Sequence, residues 1–95
     1  MTPARQLVFR VHALERMFER GITVEDVRSV VADGEVIQRY PDDKPYPSRL
    51  VLGWRGSRPI HVVVAEDSDA DILIVVTAYE PDAVQWDAAF KRKVL

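Results

Sequence analysis

The chain contains no cysteine. Disulfides, thiolate nucleophiles and cysteine-ligated zinc sites are therefore excluded. Glycine is scarce, and the sequence offers no glycine-rich phosphate loop, nucleophile elbow or zinc-protease helix. Long apolar runs are also missing. The longest aliphatic stretch, Ile72 to Val76, is far too short to span a bilayer. The start, Met1-Thr2-Pro3-Ala4-Arg5, leads into no apolar signal-peptide core. A cytoplasmic protein without a membrane partner is expected. An excess of positive charge is lacking too. The formal net charge is −2, whereas domains that coat nucleic acid are usually basic overall. That balance still leaves room for a local cationic cleft.

What is present is a globular composition. Hydrophobic residues make up 47% of the chain, enough for one core, and 95 residues are too few for two. A single domain over 1–95 is expected. Charge is unevenly placed. Acids crowd at Asp42 and Asp43 and from Glu66 to Asp71. Bases gather at Arg5, Arg10, Arg16 and Arg20 and again at Lys91, Arg92 and Lys93.

Periodicity organises the chain. From His12 to Arg20, Ala13, Leu14, Met17 and Phe18 recur at helical spacing, and Gly21 marks the stop. Thr23 with Asp26 at N3 signals a second helix, Ile22 and Val27 form a hydrophobic staple, and Asp33-Gly34 ends it. Strand patterns follow at Val36–Tyr40, Arg49–Trp54, Pro59–Glu66 and Ile72–Glu80. The tight Arg55-Gly56-Ser57 turn makes its flanking strands antiparallel. The Ile72–Val76 run lacks alternation, which predicts a central strand covered on both faces. After Pro81, Asp82 is positioned to cap a last helix, with Val84, Trp86, Ala89 and Phe90 as its apolar side. The expected fold is α+β: two N-terminal helices on a four-stranded, mainly antiparallel sheet, closed by a C-terminal helix.

Candidate chemistry starts with His12, Arg16 and Arg20, each four residues apart on one helix face. Guanidinium suits bidentate phosphate binding, and imidazole titrates near neutrality. Together they offer a metal-free kit for RNA cleavage: a base for the 2′-hydroxyl, cations for the charged phosphorus and an acid for the leaving oxygen. The plainer alternative is a solvated face paired with Glu15 and Glu19. Tyr79, at a strand end, has a hydroxyl for phosphate and a ring for a base; an ordinary aromatic at a sheet edge is the other reading. Trp54, at a hairpin end, and Arg92, in the basic tail, are candidate RNA contacts. His61 reads as a half-buried histidine with a partner, or as a second proton carrier. The Asp67–Asp71 loop lacks the glycine and glutamate of a calcium loop, the histidines lack zinc spacing, and neither a metal nor a cofactor is expected.

The order of motifs adds a resemblance. His12-Ala13-Leu14-Glu15-Arg16-Met17, Arg20-Gly21-Ile22-Thr23 and Glu25-Asp26-Val27 are followed by Asp42–Ser48, by Pro59-Ile60-His61-Val62-Val63 and by Thr77–Asp82 with Trp86. From about residue 9 to 93 the chain resembles a family of small bacterial and archaeal domains of unknown function. That family is similar to BrnT and RelE-like type II toxins and is often encoded beside a zinc-finger antitoxin of the YgiT or MqsA type. The resemblance implies an endoribonuclease acting on mRNA, free or on the ribosome, with a cognate antitoxin as partner and a homodimer as a compatible state. By family pattern, catalysis would fall to His12, Arg16 and Tyr79 and RNA contact to Arg20 and Arg92. RelE-like ribonucleases are typically basic and this chain is acidic, which leaves either a small local active face or a lost activity. A non-enzymatic module that binds a partner through a sheet edge is the alternative.

Overall fold

The computed structural model describes residues 6–95. Residues 1–5, including Arg5 of the N-terminal basic group and the start of the chain read for a signal peptide, lie outside them. The elements run β1 (Gln6–Phe9), α1 (Val11–Arg20), α2 (Val24–Asp33), β2 (Glu35–Tyr40), β3 (Ser48–Arg55), β4 (Arg58–Asp67) and β5 (Ile72–Tyr79). The five strands form one sheet in the order β1-β5-β4-β3-β2. β1 pairs parallel to β5 and every other pairing is antiparallel.

Local chemistry accounts for most boundaries. α2 begins with a capping box: Asp26 N–H donates to the Thr23 hydroxyl at 3.0 Å, and Thr23 N–H donates to the Asp26 carboxylate at 3.0 Å. α1 ends at Gly21, whose φ of 65° lies in the left-handed region that glycine enters freely. Gly56, at φ 64°, does the same for the β3–β4 turn.

The two faces of the sheet are covered differently. On one face α1 and α2 bury Ala13, Met17, Ile22, Val27 and Val30 against Val51, Ile60, Val62, Val64, Val75 and Ala78. Each valine, isoleucine and methionine among them contributes about 1.5–3 kcal/mol of transfer free energy. α2 sits so close to β3 that a Cβ at Gly53 would lie 2.7 Å from Val30 Cγ2. The opposite face carries Leu50, Leu52, Trp54, His61 and Tyr79, in register across β3, β4 and β5. It is covered by the C-terminal segment 81–95, hereafter the strap.

The structure corrects the expected fold in four respects. The sheet has five strands and is mixed, because Gln6–Phe9 forms a parallel edge strand. No C-terminal helix forms. The strap instead folds back on itself, with Val94 N–H donating to Gln85 O at 2.7 Å and Asp87 N–H to Arg92 O at 2.9 Å. Phe90 has φ 59°, which a helix cannot contain. Tertiary contacts override the helical pattern here: Trp86 and Phe90 dock on the sheet rather than on one helix stripe. β5 is interior but buries only Leu73, Val75 and Ala78, alternating until the extra residue Val76, between the Val75–Val64 and Thr77–Val63 pairs, shifts the phase. On α1 only Ala13 and Met17 are buried, and Phe18, expected on the inner stripe, is 88% exposed.

Candidate active site

β4 and β5 pair so that His61 lies directly beside Tyr79 on the strap-covered face. His61 is fully buried, and both its ring nitrogens have partners. A carbonyl can only accept, so Nε2 carries the proton and donates to Phe90 O at 2.8 Å. Nδ1 of the neutral ring then accepts from the Tyr79 hydroxyl at 3.3 Å. Trp86 packs edge-on against the imidazole, with ring centroids 4.5 Å apart. Burial pushes the His61 pKa below its ordinary value, and the Phe90 carbonyl opposes that only in part. The ring is therefore neutral at pH 7, with its Nδ1 lone pair accepting from Tyr79.

The Tyr79 hydroxyl is also perturbed. Burial and the neighbouring Tyr40 raise its pKa, and Arg20 acts against them. It is protonated at neutral pH. Arg20 reaches this end of the sheet because a second arginine holds the end of α1 in place. Arg58 donates to the carbonyls of Arg20 and Gly21 at 2.8 and 2.9 Å and to the Glu80 carboxylate at 2.7 Å. The C-terminus of α1 is thereby tied to the end of β5, and Arg20 Nη1 donates to Ala78 O at 2.8 Å.

Tyr79 lines a cleft of about 740 Å³ with Tyr40, Leu50, Trp86, Arg92 and Lys93. That size falls in the range of small-molecule and nucleotide sites. Lys91 is paired with Glu35 at 3.0 Å. Among the described residues neither Arg92 nor Lys93 makes an ion pair, so two cationic groups remain available for an anion. The strap presents them because Asp87 accepts the Lys91 backbone N–H at 3.0 Å and turns the chain there. That bond, ahead of those from neighbouring backbone N–H groups, holds the Asp87 carboxyl below its ordinary pKa.

Of the residues singled out from sequence, Arg20, Tyr79 and Arg92 come together around the Tyr79 end of the sheet. His12 and Arg16 do not join them. The row climbs α1 by about 1.5 Å per residue, which places His12 roughly 12 Å from Arg20 along the axis. The His12 side chain is 91% exposed and lies 3.8 Å from Glu15, and Arg16 pairs with Glu19 at 3.2 Å. Trp54 is half-exposed and packs edge-on against Phe90, at 5.9 Å between centroids. Tyr40, Trp86 and Lys93 belong to the cleft although the sequence reading did not assign them to it, and His61 proves to be the support of Tyr79. The signal for His61 lay in strand register, since a period of two puts it opposite the apolar Ile60 and Val62. Among the described residues no group of three or more His, Asp or Glu is placed to hold a metal ion.

A family model described as a domain of unknown function, DUF4258, matches residues 9–80. The chain belongs to that family. The DUF4258 match includes Arg20, Tyr40, Arg58, His61 and Tyr79, while the strap residues Trp86, Arg92 and Lys93 lie beyond it. No curated protein and no solved structure matches the chain. No described helix is long and apolar enough to cross a membrane.

Proposed function

We propose that this DUF4258 domain is a metal-independent endoribonuclease whose active site is the Tyr79 cleft. The observation that carries the reading is the Tyr79 hydroxyl, backed by a buried neutral histidine and bordered by Arg20 and by Arg92 and Lys93, which make no ion pair among the described residues. Its resemblance to BrnT and RelE-like toxins extends the proposal to a cytoplasmic mRNA-cleaving toxin with a zinc-finger antitoxin as partner.

The chemistry is a transesterification within RNA. The substrate 2′-hydroxyl passes its proton to the Tyr79 oxygen as Tyr79 passes its own to His61 Nδ1. The 2′-oxygen attacks phosphorus, and the P–O5′ bond breaks. Arg20 and Arg92 stabilise the added negative charge, and the Lys93 ammonium protonates the departing 5′-oxygen. The products are a 2′,3′-cyclic phosphate and a 5′-hydroxyl. The acidic net charge fits a local site of this kind rather than an extended nucleic-acid coat. Relative to the sequence expectation, catalysis moves off the His12 and Arg16 row to the other face of the sheet.

The test is purified protein with single-stranded RNA in excess EDTA, followed by mass spectrometry of the ends. Cyclic phosphate ends that vanish in Tyr79→Phe support the reading. Intact RNA, with or without added ribosomes, refutes it.

One observation favours the second reading, a protein-binding module. Among the described residues the edge strand β2 pairs on one side only, with β3. Glu35, Val36, Ile37 and Gln38 all line the same cleft, so the cleft runs along the open edge, where an extended partner segment would add a strand.

A further inference from the structure

A second cleft of about 450 Å³ meets the first at Tyr79, Trp86 and Lys93, and is lined further by Arg20, Glu80, Asp82 and Gln85. Tyr79 thus stands at a junction with space on both sides. A phosphodiester held there sends one nucleoside into each cleft. The two clefts differ in chemistry. The larger one offers the rings of Tyr40 and Trp86, on which any base can stack. The smaller one offers hydrogen-bonding side chains, which read base edges.

Resting on the ribonuclease reading, we infer that the smaller cleft is a guanine subsite read by Asp82 and Gln85. Both side chains rise from one turn, closed by Gln85 N–H donating to Asp82 O at 3.0 Å. Glu80 is already engaged by Arg58 at 2.7 Å. Asp82 Oδ1 accepts Val84 N–H at 2.8 Å, and among the described residues Oδ2 and the Gln85 amide have no hydrogen-bond partner. Guanine presents N1–H and the 2-amino group side by side, two donors suited to one carboxylate, with O6 beside them to accept from the Gln85 amide. Adenine and cytosine each offer a single exocyclic amino group. Uracil offers one donor, N3–H, between two carbonyl oxygens that repel the carboxylate.

The experiment uses fluorescein-labelled 2′-O-methyl RNA hexamers, which bind but cannot be cut by their own 2′-oxygen. One is all uridine and one carries a single guanosine. Anisotropy is expected to show the guanosine hexamer bound about tenfold or more tightly by the wild type. Asp82→Asn, which keeps an oxygen for the Val84 N–H, and Gln85→Ala should each bring the two within about threefold, chiefly by weakening the guanosine hexamer. Arg92→Ala should weaken both hexamers equally. Equal binding of the two hexamers by the wild type, or a preference that survives both substitutions, overturns the guanine subsite and leaves the ribonuclease reading standing. Failure of every hexamer to bind overturns both.

Discussion

His61 makes the stability of the domain depend on pH in a way that can be worked out in advance. Its folded pKa lies below the unfolded value of 6.5 because burial disfavours the imidazolium. The unfolded chain therefore binds the proton more readily. The stability held by the neutral ring is fully present above pH 6.5 and is lost as pH falls, until the folded pKa is reached. In that window one proton is at stake, so each pH unit removes about 1.4 kcal/mol. For a domain of this size that is roughly 6–11 °C of Tm per pH unit. The groups facing the ring are the Tyr79 hydroxyl, the Trp86 indole and the Phe90 carbonyl, none of which titrates between pH 5 and 7.5. Asp26 and Asp87, whose carboxyls lie below 3.8, hold their contribution until lower pH. The variant His61→Gln isolates the effect, since an amide N–H can still reach the Phe90 carbonyl and does not titrate. Urea melts at pH 7.5, 6.5, 5.5 and 5.0 should show the wild type losing stability below 6.5 much faster than His61→Gln. Parallel pH profiles for the two proteins would refute the buried neutral histidine.

Three further outcomes follow from the packing. Gly53→Ala drives a Cβ to 2.7 Å from Val30 Cγ2 and 3.0 Å from Val30 Cα, so α2 must retreat; a loss of about 1–3 kcal/mol is expected in urea denaturation. Thr23→Ala removes the hydroxyl that accepts Asp26 N–H and should cost about 1 kcal/mol in the same assay. Trp86→Ala takes an edge-on ring away from His61, and should cost about 1–2 kcal/mol and speed proteolysis within 81–95 ahead of the rest of the chain.

Where the signal is local, the sequence is easy to read. The Thr23–Asp26 box, the Gly21 stop and the Gly56 turn each declare themselves through one backbone requirement, and α2 and the β3–β4 hairpin follow from them. β1 gives no such signal. It is four residues long, runs straight into α1 through Arg10 alone, and is made a strand by a parallel partner more than sixty residues away. The strap misleads for the opposite reason. Asp82, Gln85, Trp86 and Phe90 carry a helix-like spacing, but the rings find His61 and Trp54 across the sheet, and the Asp87 side chain satisfies backbone N–H groups that a helix would have used. The site follows the same division. Tyr79 and Arg20 stand out by residue type, whereas the His61 support and the Tyr40 wall depend on strand register. Arg92 and Lys93 reach the cleft only because the strap is not a helix.

Cleavage of RNA at the Tyr79 cleft is the central proposal. The most direct measurement is to express the chain alone in cells and map new RNA 5′ ends, beside Tyr79→Phe and the His12→Ala, Arg16→Ala double variant, each confirmed to be folded. Discrete new ends are expected with the wild type and with the double variant, and none with Tyr79→Phe. New ends that persist in Tyr79→Phe and disappear in the double variant would place the chemistry on α1 and contradict the proposal.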